Sequence, residues 1–193
     1  MKGYNKLRNQ ALYRLKEELT DDHHYHGLAH TIDVLKVCNA YIKRENIGTL
    51  NAKLLRIAAL YHDVGFISVY ERHEDESARI AKKDMENLGM DKHSVKVVLN
   101  LIMATKTPQA PQTILEKIIC DADLDYLGRE DYYEISNKLY QELKAFKLVS
   151  NKEEWIQQQI SFLKAHTYHT QFARKNRQPE KERRIKELCS QPN

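Results

Sequence analysis

Residues 54–65 read LLRIAALYHDVG, with Arg56 the only charge before His62. Leu54, Leu55, Ile57, Ala58, Ala59 and Leu60 leave no polar face for solvent, so the run predicts a central helix buried on most sides. Gly65 is placed to terminate it. His62 and Asp63 close this apolar stretch, where unpartnered ionisable groups are costly to bury. A metal ion is the simplest compensator, and a helix-end charge cluster is the plainer alternative. Imidazole beside carboxylate suits Zn, Mn or Fe better than calcium, which prefers oxygen ligands.

Outward from this helix the helical period continues in both directions. Leu7, Leu12, Leu15 and Leu19 recur at helical intervals, and a second helix is expected from about Tyr25, carrying Ala29, Ile32, Val34, Leu35, Val37 and Cys38. Further helices are expected over Glu74–Leu88, from an Asp91 cap to before Pro108, through Ile114–Ala122, and over Tyr132–Phe146 and Glu153 to about Asn176. No strand alternation of the βαβ kind appears. The 193 residues, 41% hydrophobic and 30% charged with a net charge of +4, suit one globular domain spanning 1–193. Six glycines and four prolines exclude collagen-like or linker-like chains. The fold class expected is all-α, a single compact multi-helix bundle, with the core of the site within about 20–170 and a charged C-terminal helix or tail over 174–193. No apolar run approaches the roughly 18 residues that cross a bilayer, and the charged N-terminus lacks the apolar centre of a signal peptide. Cys38, Cys120 and Cys189 match neither a disulfide framework nor a zinc-finger spacing, so the cytoplasm is the expected location.

Two other clusters carry chemistry. His26 and His30, in YHGLAH at 25–30, are four apart and are expected on one helical face, where both bind one metal or one binds metal and the other faces substrate. Asp121 and Asp123 end the apolar helix of IICDADLDYLG at 118–128. Each cluster alone reads equally well as structural, but three helices can bring His and Asp to one point.

The ordered set YHGLAHTIDVL at 25–35, LLRIAALYHDVG at 54–65 and IICDADLDYLG at 118–128 resembles the HD-domain superfamily of metal-dependent phosphohydrolases. The resemblance implies an HD-domain helical bundle and a divalent ion (Mn, Fe, Zn, Mg, Co or Ni) held by His30, His62, Asp63 and an aspartate of the 121–125 cluster, Asp121 being preferred to Asp123 on its spacing from Ile118. It implies hydrolysis of a phosphomonoester or phosphodiester, with a nucleotide as the favoured substrate. By likeness to cyclic nucleotide phosphodiesterases, His26 is the candidate proton donor to the leaving oxygen, and Asp63 the acceptor of the water's proton. Lys106 and Arg129 are candidates to hold phosphate, Arg129 with a surface salt bridge as its alternative. Glu74 and Glu76 are candidates to orient the water or a ligand imidazole, or else begin a solvent-facing helix. A competing reading is an inactive HD-fold module that binds nucleic acid through Arg174–Lys186, or regulates by binding a small molecule. Interleaved Glu180, Glu182 and Glu187 disfavour nucleic acid and suggest a solvated, ion-paired helix. No membrane partner is expected, and a homodimer is left open.

Overall fold

The computed structural model describes residues 3–190. These form ten α-helices and no strand among the described residues: α1 (Tyr4–Glu17), α2 (Leu28–Arg44), α3 (Thr49–Tyr61), α4 (His73–Asn87), α5 (Lys92–Ala104), α6 (Ile114–Asp123), α7 (Tyr132–Ala145), α8 (Lys152–Ala165), α9 (Gln171–Asn176) and α10 (Gln178–Cys189). Short 3-10 turns at Val64–Ile67 and Asp125–Gly128 extend α3 and α6. The expected all-α bundle is what forms.

The predicted central helix is α3. It touches α1, α2, α4, α5 and α6, and Leu55, Ile57, Ala58, Ala59 and Leu60 are completely buried. Two of its partners start where side chains satisfy their free N–H groups. Asp91 caps α5 by accepting from the Ser94 N–H, and Thr113 with Glu116 forms a reciprocal capping box on α6. Arg14 and the Tyr61 hydroxyl both donate to the buried Asp84 carboxylate, which ties α1, α3 and α4 together. A second apolar cluster, including Tyr126, Leu127, Tyr132, Leu163 and Tyr168, gathers α7 to α10 beside the 125–128 turn.

Three expectations need correction. The second helix starts at Leu28 instead of Tyr25, because residues 23–27 are spent on turns and Gly27 is extended. The long helix from Glu153 to Asn176 breaks after Ala165, where the chain straightens and the N–H groups of His169 and Thr170 bond to Asp121. The charged C-terminal segment forms the ion-paired helix expected, with Arg183 bonded to Glu180 on its exposed side. It is solvated on one face only: in α10, Lys181, Arg184 and Leu188 are buried at helical spacing against α8. Their long stems cover apolar surface as hydrocarbon would. The end of the predicted tail, residues 191–193, lies outside the described residues.

Gly65 does more than end α3. A Cβ there would lie 2.1 Å from the His73 carbonyl oxygen and 2.8 Å from the Ser77 nitrogen. The Gly65 N–H donates to Ser77 Oγ at 2.8 Å, so the turn after His62-Asp63 is seated against the first turn of α4. Gly48, at φ −59°, has nothing within 4 Å of the same position. Gly65→Ala is therefore expected to cost about 2 kcal/mol or more, while Gly48→Ala stays within about 1 kcal/mol. Urea denaturation of the two variants checks the contrast.

Candidate metal centre

Three helix ends meet at one point. α2 supplies His30 from its first turn, α3 ends at His62-Asp63, and α6 ends at Asp123. His30, His62 and Asp123 offer ligand atoms that lie within 4.8 Å of one another. The two imidazole Nε2 atoms are 3.2 Å apart. Asp123 Oδ1 is 3.1 Å from His30 Nε2 and 3.4 Å from His62 Nε2. Asp63 Oδ2 is 3.3 Å and 3.1 Å from the same two nitrogens. His30, His62 and Asp63 are all buried.

These atoms are crowded without being well hydrogen-bonded. His62 Nδ1 lies 2.9 Å from the Ala59 carbonyl, which can only accept, so Nδ1 carries a hydrogen and Nε2 is the atom turned into the cluster. Asp63 Oδ2 is buried and has no aligned hydrogen-bond donor despite two close imidazoles. Donors at about 2.1 Å from one cation and 90–109° apart sit about 3.0–3.4 Å from each other. The observed spacings of 3.1–3.4 Å fall in that range. The side chains present thus fit a divalent cation. Burial works against the charged form of His62, but Asp63 and Asp123 outweigh it and hold its pKa well above the ordinary value. Burial likewise opposes ionisation of Asp123, yet His30 and His62 bring its pKa down to about 2.

The preference for Asp121 is overturned in the geometry. Residues two apart on a helix point to different sides. Asp121 is buried, as its spacing from Ile118 requires, but its carboxylate accepts from the backbone N–H groups of His169 at 2.8 Å and Thr170 at 2.7 Å. Asp123 is the aspartate brought to the cluster.

His26 also arrives by a different route from the one expected. It lies in the turn before α2, so it shares no helical face with His30, although the two ring centres are 6.0 Å apart. Glu142 of α7 holds it: one carboxylate oxygen accepts from the Tyr25 N–H at 2.8 Å and the His26 N–H at 2.9 Å, and the other pairs with His26 Nδ1 and the Tyr70 hydroxyl. Phe66 stacks on the His26 ring at 4.3 Å.

The remaining candidates divide. Glu74 is buried and faces the cavity, but its nearest imidazole is His73, 3.7 Å away. Glu76 pairs with Arg79, one turn along α4, and takes no part in the site. Lys106 lines the cavity at its mouth, 3.5 Å from Asp75. Arg129 does not reach it: its guanidinium is held by Asp33 at 2.7 Å and Asp131 at 2.8 Å, over a separate cleft. The salt-bridge alternative describes Arg129, since its donors are already matched by carboxylates.

Sequence reading missed two residues. His73 Nε2 lies 3.4 Å from Asp63 Oδ1, brought there by the close seating of Gly65. Glu142 completes the stripe Ile135, Leu139, Glu142 on α7, and a carboxylate at a stripe position was its available signal.

The HD domain family profile matches residues 27–125, which is 99 of the 193 residues and includes His30, His62, Asp63 and Asp123. The chain belongs to the HD-domain family. No curated protein matches it, and no solved structure does.

Burial alone would raise the Glu142 pKa, but the bonds from His26 and the backbone bring it from 4.5 down to about 2. Burial opposes the His26 imidazolium, and Glu142 outweighs it, raising the pKa above 6.5. The depressed carboxylate contributes stability above pH 4.5 that drains as pH falls toward 2, and the raised imidazole contributes below pH 6.5 and loses it as pH rises through the folded value. The pair is most stabilising between those limits. Glu142→Gln is expected to cost about 1–3 kcal/mol near pH 5.5, with the difference shrinking toward pH 2. Urea unfolding of both proteins across this range measures it.

Proposed function

We propose that this member of the HD-domain family is a metal-dependent phosphohydrolase that cleaves a phosphomonoester or phosphodiester. The observation that carries the proposal is the approach of His30 and His62 to Asp63 and Asp123 at 3.1–3.4 Å, with the two carboxylates lining a large cavity. These four side chains would hold the ion. A bound divalent cation supplies Lewis acidity to a phosphoryl oxygen and lowers the pKa of water.

The chain's own groups account for the rest. Glu142 occupies His26 Nδ1, which leaves Nε2 as the atom that gives a proton to the departing oxygen. Glu142 raises the pKa of His26 against the effect of burial, which favours the form that carries that proton. Asp63 stays ionised because His62, His73 and His26 outweigh its burial, so it acts as ligand and proton acceptor at the same edge of the cluster. His73 bridges toward Glu74 and fixes the far side of Asp63. Lys106, at the mouth, is placed to meet an incoming anion.

The nucleic-acid reading of the tail finds no support, because Lys181 and Arg184 are buried and Arg183 pairs with Glu180 and Glu187. No helix among the described residues is long and apolar enough to cross a membrane. The three unpaired thiols fit the cytoplasmic location this reading assumes.

A hydrolysis screen with added Mn, Fe, Zn, Mg, Co or Ni over nucleotides, sugar phosphates and simple alkyl and aryl phosphates tests the proposal. Turnover should vanish with chelator and return with metal. His62→Ala and Asp123→Ala should each lose the ion and reduce kcat/KM by more than about a hundredfold. Asp121→Asn should keep the metal stoichiometry of the parent, measured by metal analysis of the purified protein. A chain that takes up no divalent ion overturns the reading.

His26→Gln should retain the ion and lose turnover with poor leaving groups, while p-nitrophenyl esters, whose leaving oxygen needs no proton, lose much less. Comparing kcat for the two substrate classes checks the role of His26.

A further inference from the structure

The metal cluster is one end of a cavity of about 1100 Å³ whose other end lies between α7 and α8. That volume is at the upper edge of small-molecule sites and far exceeds what a phosphate group fills. The inner chamber is walled by Leu139 and Leu143 of α7, Trp155 and Phe162 of α8, and Leu148 between them. Leu148 and Phe162 are among the few large apolar side chains left exposed, at 42% and 37%, and both face this space. Among the polar groups of the lining, the Tyr132 and Ser136 hydroxyls both donate to Gln159 Oε1, while Gln157 and Ser161 of α8 are exposed.

The charge around the cavity is equally informative. Arg72 and Lys106 are its only Lys or Arg, against the carboxylates of Asp63, Glu71, Glu74, Asp123 and Glu154. Both cations stand at the mouth and share one carboxylate, Asp75, at 3.0 Å and 3.5 Å. A divalent ion at the cluster would bring the local balance near neutrality, so a triphosphate would meet a lining with too few cations to hold it.

From the continuity of the two ends we infer that the substrate is an ester of a single phosphate whose organic group is apolar, an alkyl or aryl phosphate, with that group seated in the α7–α8 chamber. The inference rests on the phosphohydrolase reading and replaces its general nucleotide expectation with a narrower class.

Trp155 is the chain's one tryptophan and lies on the chamber wall, so its fluorescence reports filling directly, without turnover. Titrating the metal-loaded protein with ethyl, butyl, hexyl and octyl phosphate should shift the emission, with octyl phosphate binding at least about tenfold tighter than ethyl phosphate, against a ceiling of about fourfold per methylene. Leu139→Glu should flatten this dependence. Phe162→Glu, at a partly exposed position that tolerates charge, should do the same, and circular dichroism confirms that each variant is folded. Affinity that does not change with chain length, or adenosine monophosphate or ATP binding tighter than octyl phosphate, overturns the inference. Chain-length-dependent binding without turnover of any ester would sink the hydrolase reading and leave the chamber assignment standing. Turnover with no chain-length dependence would do the reverse.

Discussion

Two imidazole nitrogens 3.2 Å apart, each within 3.4 Å of the carboxylates of Asp63 and Asp123 and largely out of water, set the terms for the rest of the molecule. Such a group is costly to desolvate unless its charges compensate one another or a cation joins them. Its members come from three helix ends, so α2, α3 and α6 must keep a fixed separation. The apolar mass of α3, packed directly on α2 and α6, serves that separation, while the Arg14–Asp84–Tyr61 tie and the seating of Gly65 fix α3 against α1 and α4. The core is therefore as much a holder for polar groups as a source of stability.

A second set of contacts works from the C-terminal side. Asp121 anchors the 169–170 backbone, Arg177 donates to Asp125 at 2.8 Å, and the Gly128 position leaves no room beside the Arg177 carbonyl for even a methyl group. Glu142 then reaches from α7 to hold the 25–26 turn. Segments far apart in the chain thus fix His26 relative to His30 from outside α2. The acidic run that closes α6 divides its labour: Asp123 faces the cluster, while Asp121 and Asp125 face the C-terminal scaffold.

Much of this was legible in the sequence, for physical reasons that differ by element. The α3 run was plain because burial on most sides leaves Arg56 as the one charge in its last two turns, and the cap at Asp91 obeys local chemistry. His30, His62 and Asp63 came from motif resemblance and from the cost of burying charge. The step between Asp121 and Asp123 was not legible, since apolar spacing reports that a residue is buried and says nothing of which buried neighbour it meets. His73 depends on a contact across the fold that no local period encodes, and the period of α7 marks Glu142 as a carboxylate in an apolar stripe without naming its partner. The basic tail misled because charge count ignores the aliphatic stems of Lys181 and Arg184, which pack as apolar groups do.

The four side chains that fit a cation fall within the family-matched stretch, whereas α7 and α8, which flank the apolar chamber, follow it in the chain. The two parts meet at Glu142, which stands on α7 yet holds the 25–26 turn beside the cluster. Substitutions at Leu139 and Leu143 of α7 or Phe162 of α8 change the lining of the chamber and leave the cluster's own side chains in place. A lineage built on this plan is free to alter a container while inheriting its base unchanged.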